Sequence, residues 1–338
     1  MLEKNNQSQF LIRFKKNKRG LVALVILSFL FITSLFAEII ANDKPLLLWF
    51  DGKIYLPIFQ EVSELDLGGE LRTIADFRDP YVVNLIDKKG WMLMPVIEFS
   101  YDTINFSSQF PAPSPPNSTN LLGTDDQGRD VLARLIYGIR VSLIFAILLS
   151  LFSAIIAIFL GAIQGYFAGI TDIALQRFSE IWSSLPMMFL LIIFSAIIAP
   201  SFFSLLFIMM IFSWMSLSSI VRAEFLRLRN FEFVMASRAL GAGSFRIIFK
   251  HILPNASGVI IANLPFLISG ALGSLTALDF LGFGLPVGSA SLGEILAQGK
   301  NNIQAYWLGI SGFVIITIIL SSLVFVGEAI RDGFDSRK

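Results

Sequence analysis

The chain has 338 residues, 55% of them hydrophobic and only 15% charged, and its mean hydropathy is +0.72. Soluble domains carry about 25% charged residues, so lipid rather than water is the expected main solvent. A net charge of +1 offers no electrostatic footprint for nucleic acid, and the absence of cysteine excludes a disulfide framework and thiolate metal sites.

Residues 1–20 carry six Lys/Arg (Lys4, Arg13, Lys15, Lys16, Lys18, Arg19) against one acid, Glu3. The next stretch, 21–40, is apolar except for Glu38 near its end. A signal peptide has an apolar core of about 7–15 residues. About 20 residues suffice to cross the ~30 Å hydrocarbon layer, so 21–40 is expected to be a retained first transmembrane helix with the basic segment 1–20 in the cytosol. From 41 to 130 acids outnumber Lys/Arg by seven, and the run 111–116 (PAPSPP) closes the region like a linker. This acidic stretch is expected on the non-cytoplasmic side, either as a small domain or as decorated surface loops. The cluster Asp125, Asp126, Asp130 does not match an EF-hand, because no Glu occupies the twelfth position from either Asp125 or Asp126. A turn feeding an interfacial helix, with acids near the helix N-terminus, is the expectation there.

Five further apolar stretches follow: 141–165, 181–199, 201–219, 256–278 and 306–327. Pro186 should kink the second, which begins amphipathically around Ile173, Arg177 and Glu180; Pro200 should make a tight turn, and Pro265 lies inside the fourth. The run 279–288 (DFLGFGLPVG) reads as a re-entrant, pocket-forming loop or as a plain interfacial one. A charged tail, 328–338, ends the chain. Alternation from a cytosolic start gives six spans with both termini in the cytosol.

Between the fourth and fifth spans lies a basic island, 222–255, with six Lys/Arg against Glu224 and Glu232. Asn230 is expected to cap a short helix with Glu232 in its first turn, and Gly241 to end it in the left-handed conformation. Ser244 should cap a second helix, which Pro254 should stop. Apart from Glu38 the spans hold no ionisable side chain, so ion coupling of the kind secondary transporters use is not expected. No P-loop occurs, so any energy for transport must come from a partner. Two alternatives have a sequence basis. One is an intramembrane serine protease using Ser311 with His251, the only histidine; the expected topology puts these about a bilayer apart, whereas nucleophile and base must meet. The other is an ion-uncoupled channel, which would leave the helix–Gly–helix island unexplained.

That island resembles the EAA loop of ABC-importer permeases. Met235-Ala236-Ser237, Gly241 and His251-Ile252-Leu253-Pro254 take the pattern's positions, with Met for Glu, Ser for the second Ala and His for Ile. Residues 122–142 and 278–302 are similar to peptide/nickel-type permeases, and 41–47 (ANDKPLL) with the long insert behind it resembles the YejE branch. The resemblance implies an all-α integral membrane protein of the MetI-like permease fold. Its parts would be a periplasmic insert over 41–135, a five-helix core over 136–327 and the coupling loop within it. The loop residues would be Glu232, Met235, Ala236, Ser237, Arg238, Ala239, Leu240, Gly241, Ile252, Leu253 and Pro254. The implied partners are a homologous second permease, two cytosolic ABC ATPase subunits that hold ATP and Mg, and a periplasmic solute-binding protein. The implied cargo is peptide-like, of oligopeptide or microcin C type, and the chain itself would need no cofactor and hold no catalytic site.

Overall fold

A computed structural model describes residues 10, 12–106 and 110–334. Residues 1–9 and 11 of the basic segment 1–20, and the end of the charged tail, 335–338, lie outside the described residues. Two compact units emerge: a mixed unit (Phe29–Val141 and Val287–Val314) and a helical unit (Met1–Ser28, Ser142–Pro286 and Ile315–Lys338).

After a helical stretch over 12–16 come α1 (Lys18–Leu35) and a single turn, α2 (Ala37–Ile40). The mixed unit then forms β1 (Leu47–Phe50), β2 (Lys53–Tyr55), α3 (Pro80–Lys89) and β3 (Gly90–Leu93). The strands make an antiparallel sheet of order β2-β1-β3, with Trp49 opposite Ile54 on one side and Trp91 on the other. Asp51 and Gly52 join β1 to β2, both at positive φ (46° and 77°), as a two-residue hairpin of matching twist requires. Asp79 caps α3 by accepting from the Tyr81 amide at 2.8 Å, and Pro80 takes the first helical position, where no amide is needed. Leu48, Phe50, Val62, Leu67, Phe77, Val82 and Ile86 close a small core beneath the sheet. The all-α expectation is therefore corrected: β1 forms a strand whose alternate residues Leu48 and Phe50 face this core, and Tyr55 of β2 packs against it.

Eight further helices follow: α4 (Val131–Phe167), α5 (Gly169–Ser183), α6 (Met187–Ile197), α7 (Phe202–Ser213), α8 (Met215–Leu228), α9 (Glu232–Ala239), α10 (Ser244–Arg246) and α11 (Leu253–Phe280). α12 (Leu292–Asn301) and α13 (Tyr306–Phe334) complete the chain. Among the described residues, five stretches are long and apolar enough to cross a membrane: α1, α4, α7–α8 (Phe202–Leu228), Ser244–Phe280 and α13. A sixth arises if α5 and α6, bent by 66° at the break before Pro186, count as one span. The bend matches the expectation from that proline. Large apolar side chains such as Val25, Phe29, Ile155 and Phe313 stand exposed on these helices, which lipid rather than water accommodates.

Pro254 does not end its helix, contrary to the sequence expectation. A π-helical stretch, Ile247–Ile252, precedes it and joins α10 to α11 in one continuous helix. A proline lacks an amide and crowds the carbonyl four residues back; a wider turn just before it relieves both demands. Pro265 sits inside α11 as expected.

Candidate functional site

The basic island folds as a short helix hung between two long ones. Val234 is the residue of α9 that turns fully inward, joining Leu228, Ile247, Ile248 and Ile252 in the core of the helical unit. Glu232, Met235, Ala236, Arg238, Ala239 and Leu240 are exposed, and Ser237 is half-buried with its hydroxyl donating to the Phe233 carbonyl at 2.8 Å. α9 starts one residue later than expected. Phe231 occupies the cap without a side-chain bond, and Asn230 instead donates to the Leu226 carbonyl. Ser244 likewise opens α10 from the first helical position, with Gly243 at the cap.

Gly241 ends α9 as expected, at φ +79°. The Gly241 amide donates to Arg238 O at 3.0 Å and the Ala242 amide to Ser237 O at 3.1 Å, the paired bonds of a Schellman motif. A Cβ at Gly241 would meet nothing within 4 Å, so its requirement for glycine is a matter of backbone angle alone. Beyond the turn, the Phe245 and Phe249 rings meet at a tilt, 4.4 Å apart between centroids, and stay exposed, while Ile247 and Ile252 are fully buried. Leu253 is half-buried and Pro254 exposed. Met235, Leu240 (89% exposed) and Phe245 thus give a basic loop an apolar outer surface.

Three supports hold the loop, and none of them was singled out from the sequence. Tyr166, at the end of α4, accepts from Arg229 Nη1 through its carbonyl at 3.2 Å, and its ring lies 5.6 Å from the Arg238 guanidinium. Arg222 forks onto Asp172 of α5 through Nε at 2.5 Å and Nη2 at 2.7 Å. Arg227 pairs with Glu224 and covers the Phe231 ring at 5.3 Å. α4 lies close against α8 because Gly161 and Gly165 face Ser218, Val221, Arg222 and Phe225 with no room for a side chain. The spacing Gly-x-x-x-Gly is the signal that would have located this contact.

The mixed unit contains a second group of charges. Asp125, Arg129 and Arg134 are almost wholly buried. Arg129 Nε donates to Asp125 Oδ2 at 2.7 Å; Arg134 Nη2 lies 3.0 Å from Glu294 Oε2, and Arg134 Nε lies 3.4 Å from Asp125 Oδ2. Arg134 also donates to the carbonyls of Tyr101 and Ser289, both at 3.0 Å. Burial pushes the Glu294 carboxyl above the ordinary range, against the pull of Arg134 and Arg129. Asp130 accepts from the Ala133 amide at 2.7 Å, opening α4 as the sequence reading expected of an acid there. Asp125 opens the expected turn, its carbonyl accepting from the Gly128 amide at 3.1 Å, and its buried carboxylate is in addition an ion-pair partner.

Residues 157–338 match the family model of the binding-protein-dependent transport system inner membrane component. Residues 8–57 match the N-terminal TM domain of oligopeptide transport permease C. The chain belongs to the ABC-importer permeases, in the YejE branch of the peptide type. It is 49% identical over 98% of its length, and 97% of the relative's, to the inner membrane ABC transporter permease protein YejE of Escherichia coli (strain K12). It is 48% identical to the peptidoglycan transport system permease protein YejE of Agrobacterium fabrum, over 96% of this chain and 91% of that one. The oligopeptide transport system permease protein OppC of Bacillus subtilis (strain 168) is 31% identical over 71% of this chain and 78% of its own. Among solved structures, a chain of the inward-facing MetNI methionine ABC transporter superposes with TM-score 0.51 at 18% identity, over 60% of this chain and 97% of that one. The MetI-like permease fold is therefore present, in a multi-pass inner membrane protein.

This membership makes the chain a transport subunit of an ABC assembly whose ATP hydrolysis resides in separate subunits, and it displaces the protease and channel readings. Ser311 is a packing residue near the start of α13, its hydroxyl bonded to the Leu308 carbonyl at 3.2 Å.

Proposed function

We propose that the loop 222–255 is the mechanical handle by which cytosolic ATPase subunits drive this permease. One observation carries the reading: α9 buries Val234 alone, ends in a rigid Schellman turn at Gly241, and turns Met235 and Leu240 outward. A helix built this way can seat its exposed apolar side chains in a groove of another protein while its root stays fixed in the membrane helices. The loop is cytosolic, as its six basic residues favour, with the termini on the same side and six spans in all. Residues 41–135 then face the periplasm.

In this reading two ATPase subunits hold ATP and Mg, a homologous second permease completes the pore, and a periplasmic solute-binding protein delivers cargo. Cargo is peptide or peptide-like, from oligopeptides to microcin C type compounds and the cell-wall fragments for which one relative is named. ATP-driven closure of the engine subunits would pull α9; Glu232, Ala236, Arg238 and Ala239 share its contact surface with Met235 and Leu240. Ser237 and Gly241 keep the turn closed, and Ile252, Leu253 and Pro254 relay the movement into α11. This is rigid-body alternation between two states, with no bond chemistry in the chain.

Co-purification from detergent-solubilised membranes tests the reading. The tagged chain should bring down a homologous membrane chain and ATPase chains, and Leu240→Asp should lose the ATPase chains while keeping the second permease. Recovery of the wild-type chain alone, or unchanged ATPase recovery with Leu240→Asp, would overturn it. Gly241→Val should insert normally yet hydrolyse ATP without matching uptake, because a left-handed β-branched residue costs about 1–2 kcal/mol and reopens the turn. Asn, which tolerates that conformation, should keep most uptake; normal uptake by Gly241→Val would show that the turn geometry is not what matters.

A further inference from the structure

Arg13, Lys15, Lys16, Lys18 and Arg19 crowd the approach to α1. The last two stand at one end of a groove of 500 Å3 within the helical unit, lined from Lys18 to Ile26 on α1 and from Thr317 to Phe325 on α13. Past these two cations the wall is almost wholly apolar, with Val22, Ile26, Ile318 and Phe325 exposed along it.

The mouth of the groove is held in place by the backbone. At Gly20 a Cβ would lie 2.2 Å from the Ala329 Cβ and 3.2 Å from the Phe325 carbonyl oxygen, so α1 and α13 touch there without a side chain between them. Asn17 anchors the same turn: its side-chain oxygen accepts from the Gly20 amide at 3.1 Å, and its amide donates to Asp332 at 3.3 Å. Lys18 and Arg19 are exposed, and among the described residues neither pairs with an acid. Glu328, about one turn beyond Phe325, joins no ion pair among the described residues either.

We propose that this groove binds an anionic phospholipid of the cytosolic leaflet, its phosphate at Lys18 and Arg19 and an acyl chain along the apolar wall. Lys/Arg clusters at the cytosolic end of a span attract the acidic headgroups of that leaflet, and a guanidinium can fork onto two phosphate oxygens. Length argues for the same occupant. Eight residues from Lys18 to Ile26, at ~1.5 Å each, give a groove of ~12 Å, close to half of the ~30 Å hydrocarbon core. That is the depth of one leaflet, whereas a helix of the second permease would cross both. The volume falls within the ~300–1,000 Å3 of ligand sites. The inference rests on the reading that puts both termini in the cytosol, and it adds a ligand that the reading does not assign.

Photoreactive benzoylphenylalanine in place of Val22 tests the site in the complete importer, held in nanodiscs of equal parts dioleoyl phosphatidylglycerol and dioleoyl phosphatidylcholine. Mass spectrometry of the illuminated chain counts the two lipid adducts. Phosphatidylglycerol adducts should be in excess by at least about fivefold at Val22, the gain expected from one basic residue near an acidic headgroup. The same probe in place of Phe313, exposed farther along α13, should take up both lipids about equally. Lys18→Gln/Arg19→Gln should bring the Val22 ratio down to that of the Phe313 control, while Lys18→Arg/Arg19→Lys should retain the excess. A ratio no higher than the control, or one indifferent to the loss of both charges, would overturn the proposal. Adducts to a protein chain in place of lipid would overturn it too, and mark an interface with the second permease. Alkaline phosphatase fused after Lys338 reads orientation separately, since its disulfides form only outside the cytosol. An active fusion would overturn the orientation; an inactive one with equal adducts would overturn the lipid site alone, because both nanodisc leaflets have the same composition.

Discussion

Replacing Arg134 by methionine is expected to destabilise the protein by about 3–5 kcal/mol, because removing one member of a buried ion network leaves the others uncompensated. Arg134 is fully buried and bridges Glu294, Asp125 and the carbonyls of Tyr101 and Ser289, so one guanidinium ties α4 to α12 and to two loops of the mixed unit. Lysine cannot reach four acceptors from one ammonium, so Arg134→Lys should recover only part of the loss. The double variant Arg134→Met/Glu294→Gln should be less harmful than the sum of the single changes, since it removes both signs of charge together. The pH dependence follows from Glu294. Burial already holds its carboxyl above the ordinary range, with Arg134 the main opposing pull. Without Arg134 its pKa rises further, and the stability tied to the protonated form is lost as pH climbs through that value. The deficit of Arg134→Met should therefore shrink as pH is lowered and the orphaned carboxyl takes up a proton. Thermal unfolding of the purified subunit in detergent measures all four effects. A variant within about 1 kcal/mol of the parent would mean the network is better hydrated than its burial implies.

The spans were readable from the sequence because lipid imposes one simple condition: about 20 consecutive residues without charge. Pro186 announced the bend between α5 and α6, and Gly241 announced the end of α9, since each residue restricts its own backbone whatever surrounds it. What escaped notice depends on distant partners. The turn at Asp125 was legible but its ion pairing was not, because Glu294 and Gln298, which complete its surroundings, lie far along the chain. The small sheet was missed for a different reason. Its strands are only three or four residues long, and the Asp51-Gly52 pair was the local signal that would have placed the hairpin. Pro254 misled because the rule that proline stops a helix assumes regular α geometry on its N-terminal side, and the π-helical stretch Ile247–Ile252 removes that assumption.

The other large effect is expected at Gly165. A Cβ there would lie 2.4 Å from the Phe225 Cβ, 2.6 Å from the Arg222 carbonyl oxygen and 3.1 Å from the Leu226 amide nitrogen. One turn earlier, a Cβ at Gly161 would lie 2.7 Å from the Ser218 carbonyl oxygen. The obstructing atoms are mostly backbone, so no rotamer change relieves them and α4 would have to move away from α8 as a body. Close approach of this kind replaces the hydrophobic drive that helices lack in lipid, because dispersion contacts fall steeply with separation. Gly165→Leu should therefore cost upwards of ~3 kcal/mol, beyond ordinary overpacking. The next residue, Tyr166, receives Arg229 on its carbonyl and Arg238 on its ring. Displacing α4 thus withdraws the support of α9, and uptake should fall further than the amount of assembled importer does. Gly273→Ala supplies the contrast. It changes a glycine in α11 whose Cβ would meet nothing within 4 Å, and it should be neutral or stabilise by about 0.5–1 kcal/mol in the isolated subunit. Unfolding midpoints in detergent, set beside uptake per assembled importer, separate the two positions. If Gly165→Leu matches Gly273→Ala in both, the close contact of α4 with α8 is not what positions the loop.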